Sequence, residues 1–457
     1  MATSMVEVER IPRIQRIGGR FGLRSVYSLL TDSVGFQRRG HRVAGPVFAA
    51  RVFGRELYFV DIGAHPTLAR ELLWAKSEQI NLAAAYHELF GRLFGEALFI
   101  DVDKSVRQGL TLAYIKRHVP ATQAYLRRHL DRELGPEGTI DAVEFFSELV
   151  LLTLMDYLCK DARCEAIARE VAGCMATLEN DYSVIGLMLP VDTPARRRRI
   201  AARERLIALF ETLVHERVAS GERCDDFLQH LIDSRVGSGG AGPDVRDLGL
   251  RLLGVVFGAH TNTSMSVPAI LLDLLDHPDE LAAVREEIAA HSRANAPGEV
   301  AFADLRKLTR LHRCITETLR LKSNGIMWRK AIVDVELGGA TIPAGSVLGA
   351  STGLVNLDPE RFEAAHAYCP HRYASGEVDQ FQSPPVVQAP VRYCAFGTGR
   401  NVCSGRQLAY TLLASVLVRL LSDFDWTVEA RPRAWINMFG PGVARPFGAI
   451  ELGYRRR

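Results

Sequence analysis

The chain has 457 residues, 47% of them hydrophobic and 24% charged, and a formal net charge of +3. That is enough apolar material for one large core or two ordinary ones, and no Gly/Ser-rich break divides the chain cleanly. The charge balance excludes the basic excess of a nucleic-acid binder and the acidic bias of a disordered tail.

Two apolar stretches at 47–53 and 56–60, separated by Gly54-Arg55, predict a hairpin within a β-rich part at about 40–65. Farther on the pattern turns helical: residues 104–132, 140–159, 163–178, 196–219 and 225–234 repeat apolar side chains at three-and-four spacing with Arg/Glu faces, which predicts a bundle. The segment 235–243 is Gly-rich and flexible, and Asp244 after it is a good N-cap. From there to Asp276 an apolar-rich run predicts a helix of about 33 residues, roughly 50 Å long. Small and hydroxylated residues cluster in its middle, from Gly258 to Ser264, as either a polar kink or a groove over a ligand. Helices at 278–292 and 302–322 follow, then short strands near 331–337 and 347–350 with a turn at Ile342-Pro-Ala-Gly345. Residues 359–393 read as a long irregular loop, residues 405–421 as an apolar helix, and strands with a Gly-Pro-Gly turn at 440–442 close the chain.

Eight cysteines, at 159, 164, 174, 224, 314, 369, 394 and 403, lack the spacing of a disulfide scaffold and read as free thiols in a reducing compartment. The first ten residues carry charges and no apolar core, and nowhere do eighteen uncharged apolar residues run together. A cytoplasmic monomer without a membrane anchor is expected.

The segment Phe396-Gly-Thr-Gly399-Arg-Asn401-Val-Cys403-Ser-Gly405 joins a glycine-studded loop to a cysteine at a helix start. There a thiolate gains from free backbone N–H groups. Gly399 permits a turn closed to other residues, and Gly405 lets a flat ring lie close to the helix. By chance this Phe/Gly/Cys/Gly pattern is expected only about 0.002 times in such a chain. A zinc site from His366, Cys369 and His371 with Cys394 or Cys403 is the rival reading, but it lacks a tight second Cys pair.

This loop resembles the haem-binding signature of the cytochrome P450 superfamily. The resemblance implies a mainly α fold with small β-sheets, a single domain spanning 1–457, and haem held in the loop 393–405. Cys403 would be the axial thiolate of the iron, with Phe396 shielding the sulfur. Glu317-Thr-Leu-Arg320 and Pro370-His-Arg372 match the family's Glu-x-x-Arg helix and the Arg segment after it, implying a buried structural network of Glu317, Arg320 and Arg372. Arg329 and Arg107 would bind haem propionates, although Asp103 replaces the aromatic that the family places four residues before the latter. Asn401 stands where the family usually has Arg or His.

Gly258-Ala-His260-Thr261-Asn262-Thr263 resembles the family's oxygen-activating groove, in two registers. Matching the motif by eye puts His260-Thr261 at the acid-alcohol pair. Counting back from His277-Pro278 puts Thr261-Asn262 there, with Thr263 following, as in sterol hydroxylases and prostacyclin synthase, and this register is preferred. Together with Leu93–Asp101, which resembles a sterol demethylase segment, it suggests an apolar lipid-, terpenoid- or natural-product-like substrate, with Gly258, Ala259, Ile326, Met327 and Phe439 along the pocket. The implied reaction is O2-dependent monooxygenation with NAD(P)H electrons delivered by a ferredoxin or flavodoxin and its reductase. The alternative is an isomerase or lyase, or a peroxide-using enzyme, to which Asn262 and Asn401 point. Arg392, Arg400 and Arg406 would make the partner-facing side basic.

Overall fold

The computed structural model describes residues 14–17, 23–52, 54–94, 104–160, 162–179, 193–236, 244–292, 300–374, 391, 393–437 and 442–457. The chain begins with β1 (Gln15–Ile17), α1 (Leu23–Thr31), α2 (Ser33–Ala44), β2 (Val47–Val52), β3 (Arg55–Val60), α3 (Pro66–Leu73), β4 (Ile80–Asn81) and α4 (Leu82–Phe94). The helical part follows with α5 (Lys104–Gln108), α6 (Leu112–Glu133), β5 (Glu137–Asp141), α7 (Ala142–Leu158), α8 (Ala162–Glu179), α9 (Pro194–Ser220), α10 (Phe227–Val236), α11 (Val245–Leu275) and α12 (Pro278–His291). Then come α13 (Phe302–Leu305), α14 (Thr309–Lys322), β6 (Ile326–Ala331), β7 (Val335–Leu337), β8 (Ala340–Ile342), β9 (Val347–Ser351) and α15 (Gly353–Asn356). The chain ends with α16 (Arg406–Asp423), β10 (Phe424–Ala430), β11 (Ala434–Ile436), β12 (Arg445–Phe447) and β13 (Glu451–Arg456).

The fold is mainly helical with small sheets, as expected from the sequence. Helix α11 runs through its middle, packed on α7, α9, α14 and α16. Asp244 caps it, its carboxylate accepting the N–H groups of Arg246 (3.0 Å) and Asp247 (3.1 Å). Below Asn262 the helix is buried almost all round, because Met265 to Leu272 pack on every side. The expected hairpin is β2 and β3, paired from Val47↔Val60 to Val52↔Arg55. It extends into a six-stranded sheet in the order β1-β2-β3-β9-β6-β4, which carries β6 to the edge of the helical part.

Two expected helices are broken. The first stops at Gln108, and at Gly109 a Cβ would meet the Phe227 ring of α10 at 2.3 Å, so glycine permits the close approach; the helix restarts after Thr111, whose hydroxyl caps α6. The 302–322 run is interrupted between Leu305 and Thr309, leaving α13 and α14. Four helices before residue 104, α1 to α4, add to the expected set. Among the described residues no helix is long and apolar enough to cross a membrane.

Candidate active site

Cys403 ends a loop turned by two left-handed glycines, Gly397 (φ +70°) and Gly399 (φ +85°). The Gly399 turn is also a close approach, since a Cβ there would lie 2.4 Å from the Leu73 carbonyl oxygen. The Gly397 N–H donates to the Cys394 carbonyl (2.9 Å) and the Cys403 N–H to the Phe396 carbonyl (3.0 Å), so the loop closes on itself before α16 begins. Burial pushes the Cys403 thiol above its ordinary value; the N–H groups of Gly405 and Arg406 and the Arg406 guanidinium, all favouring thiolate, oppose it. The sulfur side of the residue opens onto a cavity of about 460 Å³. At Gly405 a Cβ would stand 3.9 Å from that sulfur, on the floor of the same cavity. Phe396 lines the floor too, its ring 5.2 Å from that of Tyr410.

The opposite wall is one stripe of α11. Gly254, Gly258, Asn262 and Ser266, four residues apart, face the cavity with Ala259 and Thr263 beside them. His260 and Thr261 are buried and lie off this wall. His260 points at α7 instead, with Nε2 3.1 Å from the Ser147 hydroxyl and 2.9 Å from its carbonyl. Asn262 accepts a hydrogen bond from the Val443 N–H through Oδ1 (3.1 Å).

Strand β6 forms the side of the cavity, and its alternation corrects the expectation for Ile326. Met327 and Arg329 face the cavity; Ile326 and Trp328 turn to the other face, where both cover Gly349 of β9. Arg329 is buried, with one Nη1 bond to the carbonyl of Trp328 (2.8 Å) and, among the described residues, no carboxylate within ion-pair distance. Burial holds its guanidinium below its ordinary value. Arg107 and Asn401 also reach the cavity, whereas Gly399 acts only through the turn.

Behind the floor, Glu317 and Arg320 form a fully buried bidentate pair (2.9 and 2.8 Å). Arg320 also donates to the carbonyls of Asn356, Ala365 and Ala367. Glu317 collects the Arg372 Nε (3.1 Å), the Tyr373 hydroxyl (2.9 Å) and the Cys369 N–H (2.9 Å). Ala365, Ala367, Cys369, Arg372 and Tyr373 of the irregular segment are thereby tied to one carboxylate and one guanidinium.

No group of three or more His, Cys, Asp or Glu among the described residues could hold a metal ion, which leaves the zinc reading without support there. Phe439, Arg392 and residues 95–101 lie outside the described residues. The cavity also has walls that sequence reasoning missed: Tyr86 on α4, Thr352 after β9, and Val443 before β12.

The sequence model of the family described as Cytochrome P450 matches residues 157–452. The chain belongs to the cytochrome P450 family. As a P450 it is an oxidoreductase of the monooxygenase kind, and haem is the cofactor of that family. It is similar to the obtusifoliol 14-alpha demethylase of Triticum aestivum, 26% identical over 438 residues that cover 90% of this chain and 91% of that protein. It is also similar to the sterol 14alpha-demethylase of Mycolicibacterium vanbaalenii, 25% identical over 468 residues and 99% of each chain. Among solved structures, the retinoic acid bound cyanobacterial CYP120A1 superposes with a TM-score of 0.76 over 98% of this chain and 100% of that one, at 18% identity, which shows the P450 fold. The residues present fit haem: a thiol that is open to the cavity and has N–H groups directed at it, a glycine floor beside it, and in Arg329 a buried cation that has no carboxylate partner among the described residues and that an anionic propionate would neutralise.

Proposed function

We propose that Cys403 is the axial thiolate of haem in an enzyme that inserts one oxygen atom into an apolar, sterol-like substrate. Electrons would come from a separate ferredoxin or flavodoxin and its reductase, ultimately from NAD(P)H. The observation that carries this reading is that Cys403, the one cysteine on the cavity among the described residues, faces a wall made by Gly258, Ala259, Asn262 and Thr263. Thiolate-bound haem supplies the activation of dioxygen, including the push that favours O–O cleavage.

The protein's own groups have separable tasks. Arg329 and Arg107, which line the cavity, would pair with the propionates, and Asn401 would offer an amide where the family's usual cation is replaced. Phe396, packed on Tyr410, keeps water from the sulfur. Met327, Leu82, Val106 and Val255 give the substrate an apolar lining. Asn262 and Thr263 stand at the reacting end, and their position supports the register counted from His277-Pro278. Only Thr263 has a hydroxyl with which to pass a proton, directly or through water. Arg400 and Arg406, at the Cys403 loop, offer positive charge to an acidic redox partner.

The names of the relatives motivate sterol-like probes. Purified, haem-loaded protein should give the red-shifted ferrous carbonyl band of a thiolate haem, shift its Soret band on adding a sterol, and turn over only with an electron donor. A carbonyl band without that red shift refutes the ligand assignment, and turnover without a donor replaces monooxygenation by rearrangement.

A further inference from the structure

On the α11 side of the cavity, the orientation of the Asn262 amide is fixed by its neighbours. The Val443 N–H can only donate, so the group 3.1 Å from it on Asn262 must be the amide oxygen, and the amide nitrogen must face the other way. That nitrogen has no protein partner among the described residues, and Asn262 lines the cavity. Nearby Ser266 cannot compete as a donor, because its hydroxyl proton is engaged by the Asn262 main-chain carbonyl (2.7 Å). The Thr263 hydroxyl can turn either way and imposes no sign.

The same amide supports a wall. Val443 and Ala444 are buried between α11 and α14, at 6% and 2% exposure, on two hydrogen bonds. The Ala444 N–H donates to the Lys322 carbonyl at the end of α14 (2.7 Å), and the Val443 N–H depends on Asn262 alone. Losing the side chain leaves a buried N–H unsatisfied on a segment that forms the cavity surface.

We propose that Asn262 is a specificity-determining residue that fastens the wall at 442–444 through its oxygen and presents its nitrogen to substrate as a fixed donor. The site therefore selects apolar molecules that carry an acceptor oxygen over their hydrocarbon counterparts. This rests on the reading of the cavity as the substrate site. With its oxygen engaged by the Val443 N–H, the Asn262 amide can only donate into the cavity.

The test uses the haem-loaded protein, Asn262→Leu, and two probes of one frame, androstanone and androstane, titrated by Soret shift. Amide hydrogen exchange is followed at Val443 and Ala444. In Asn262→Leu, exchange at Val443 should rise at least about tenfold while Ala444 keeps its protection. The preference for androstanone over androstane should fall by up to about tenfold, the worth of one hydrogen bond. Unchanged exchange at Val443 overturns the fastening. A substitution that weakens both ligands equally is a structural effect only and overturns the donor. Wild-type protein that binds neither probe overturns the apolar-substrate reading and this proposal with it, whereas binding of both with an unchanged ratio overturns this proposal alone.

Discussion

On the Cys403 side of the cavity, the backbone hydrogen bonds within 394–406 join residues at most seven apart, as in the Cys403 N–H to Phe396 carbonyl bond. On the α11 side the decisive contact joins Asn262 to Val443, 181 residues away. The first side is a preorganised loop that can be written as a local pattern, with glycines where φ is positive and a cysteine where N–H groups are free. The second is a helix face whose chemistry depends on rotation about its axis and on what a distant segment places against it. On the function proposed above, a short motif would fix where the cofactor is held, while the long-range contact would shape what can approach it.

The largest test of this contrast is Cys403→Ser, which should abolish the red-shifted ferrous carbonyl band outright. The other described cysteines should be spectrally silent when replaced; Cys314 and Cys394, pushed up to about 12 by burial, stay protonated and inert at neutral pH. Next comes Glu317→Ala. It leaves Arg320 buried without its carboxylate and releases Arg372, Tyr373 and the Cys369 N–H, so unfolding in urea should become easier by about 3–5 kcal/mol. A loss below about 1 kcal/mol would show that the network does not hold the loop that leads to Cys403.

A smaller effect has two signs. Arg329 is a buried guanidinium without a carboxylate partner among the described residues, so Arg329→Met should raise the melting temperature of haem-free protein and at the same time speed haem transfer to an acceptor protein. If haem-free stability falls, the residue has a protein partner that matters more than the propionate.

How much could be read beforehand follows from the same contrast. The Cys403 loop, Glu317, Arg320 and Arg372 were legible because residue type, spacing and order along the chain coincide. The hairpin β2–β3 and helix α11 were legible from periodicity and from the Asp244 cap. Ile326 was not, because a two-residue alternation shows which residues share a face without saying which face meets the cavity; Met327 and Arg329 took it. The break at Gly109 was hidden for a related reason: the Phe227 ring that its backbone approaches belongs to another helix. Tyr86 and Val443 reach the cavity only through tertiary packing and carry no local mark of it.

The smallest expected effect decides between the two registers of α11. Thr261 is buried and off the cavity wall, and neighbouring residues point about 100° apart around a helix. Thr261→Ala should therefore cost about 1 kcal/mol or less of stability and leave the ratio of product formed to oxygen consumed nearly unchanged. Asn262→Ala should lower that ratio, since it both frees the 442–444 wall and removes the donor beside the substrate. For Thr261 to act on oxygen instead, α11 would have to rotate by that 100°, which would carry Asn262 away from the Val443 N–H and Gly258 off the cavity. The two observations are thus linked. A protected Val443 amide together with loss of coupling in Thr261→Ala would show that Thr261 acts through water from outside the wall, while loss of both would place His260-Thr261 at the acid-alcohol pair.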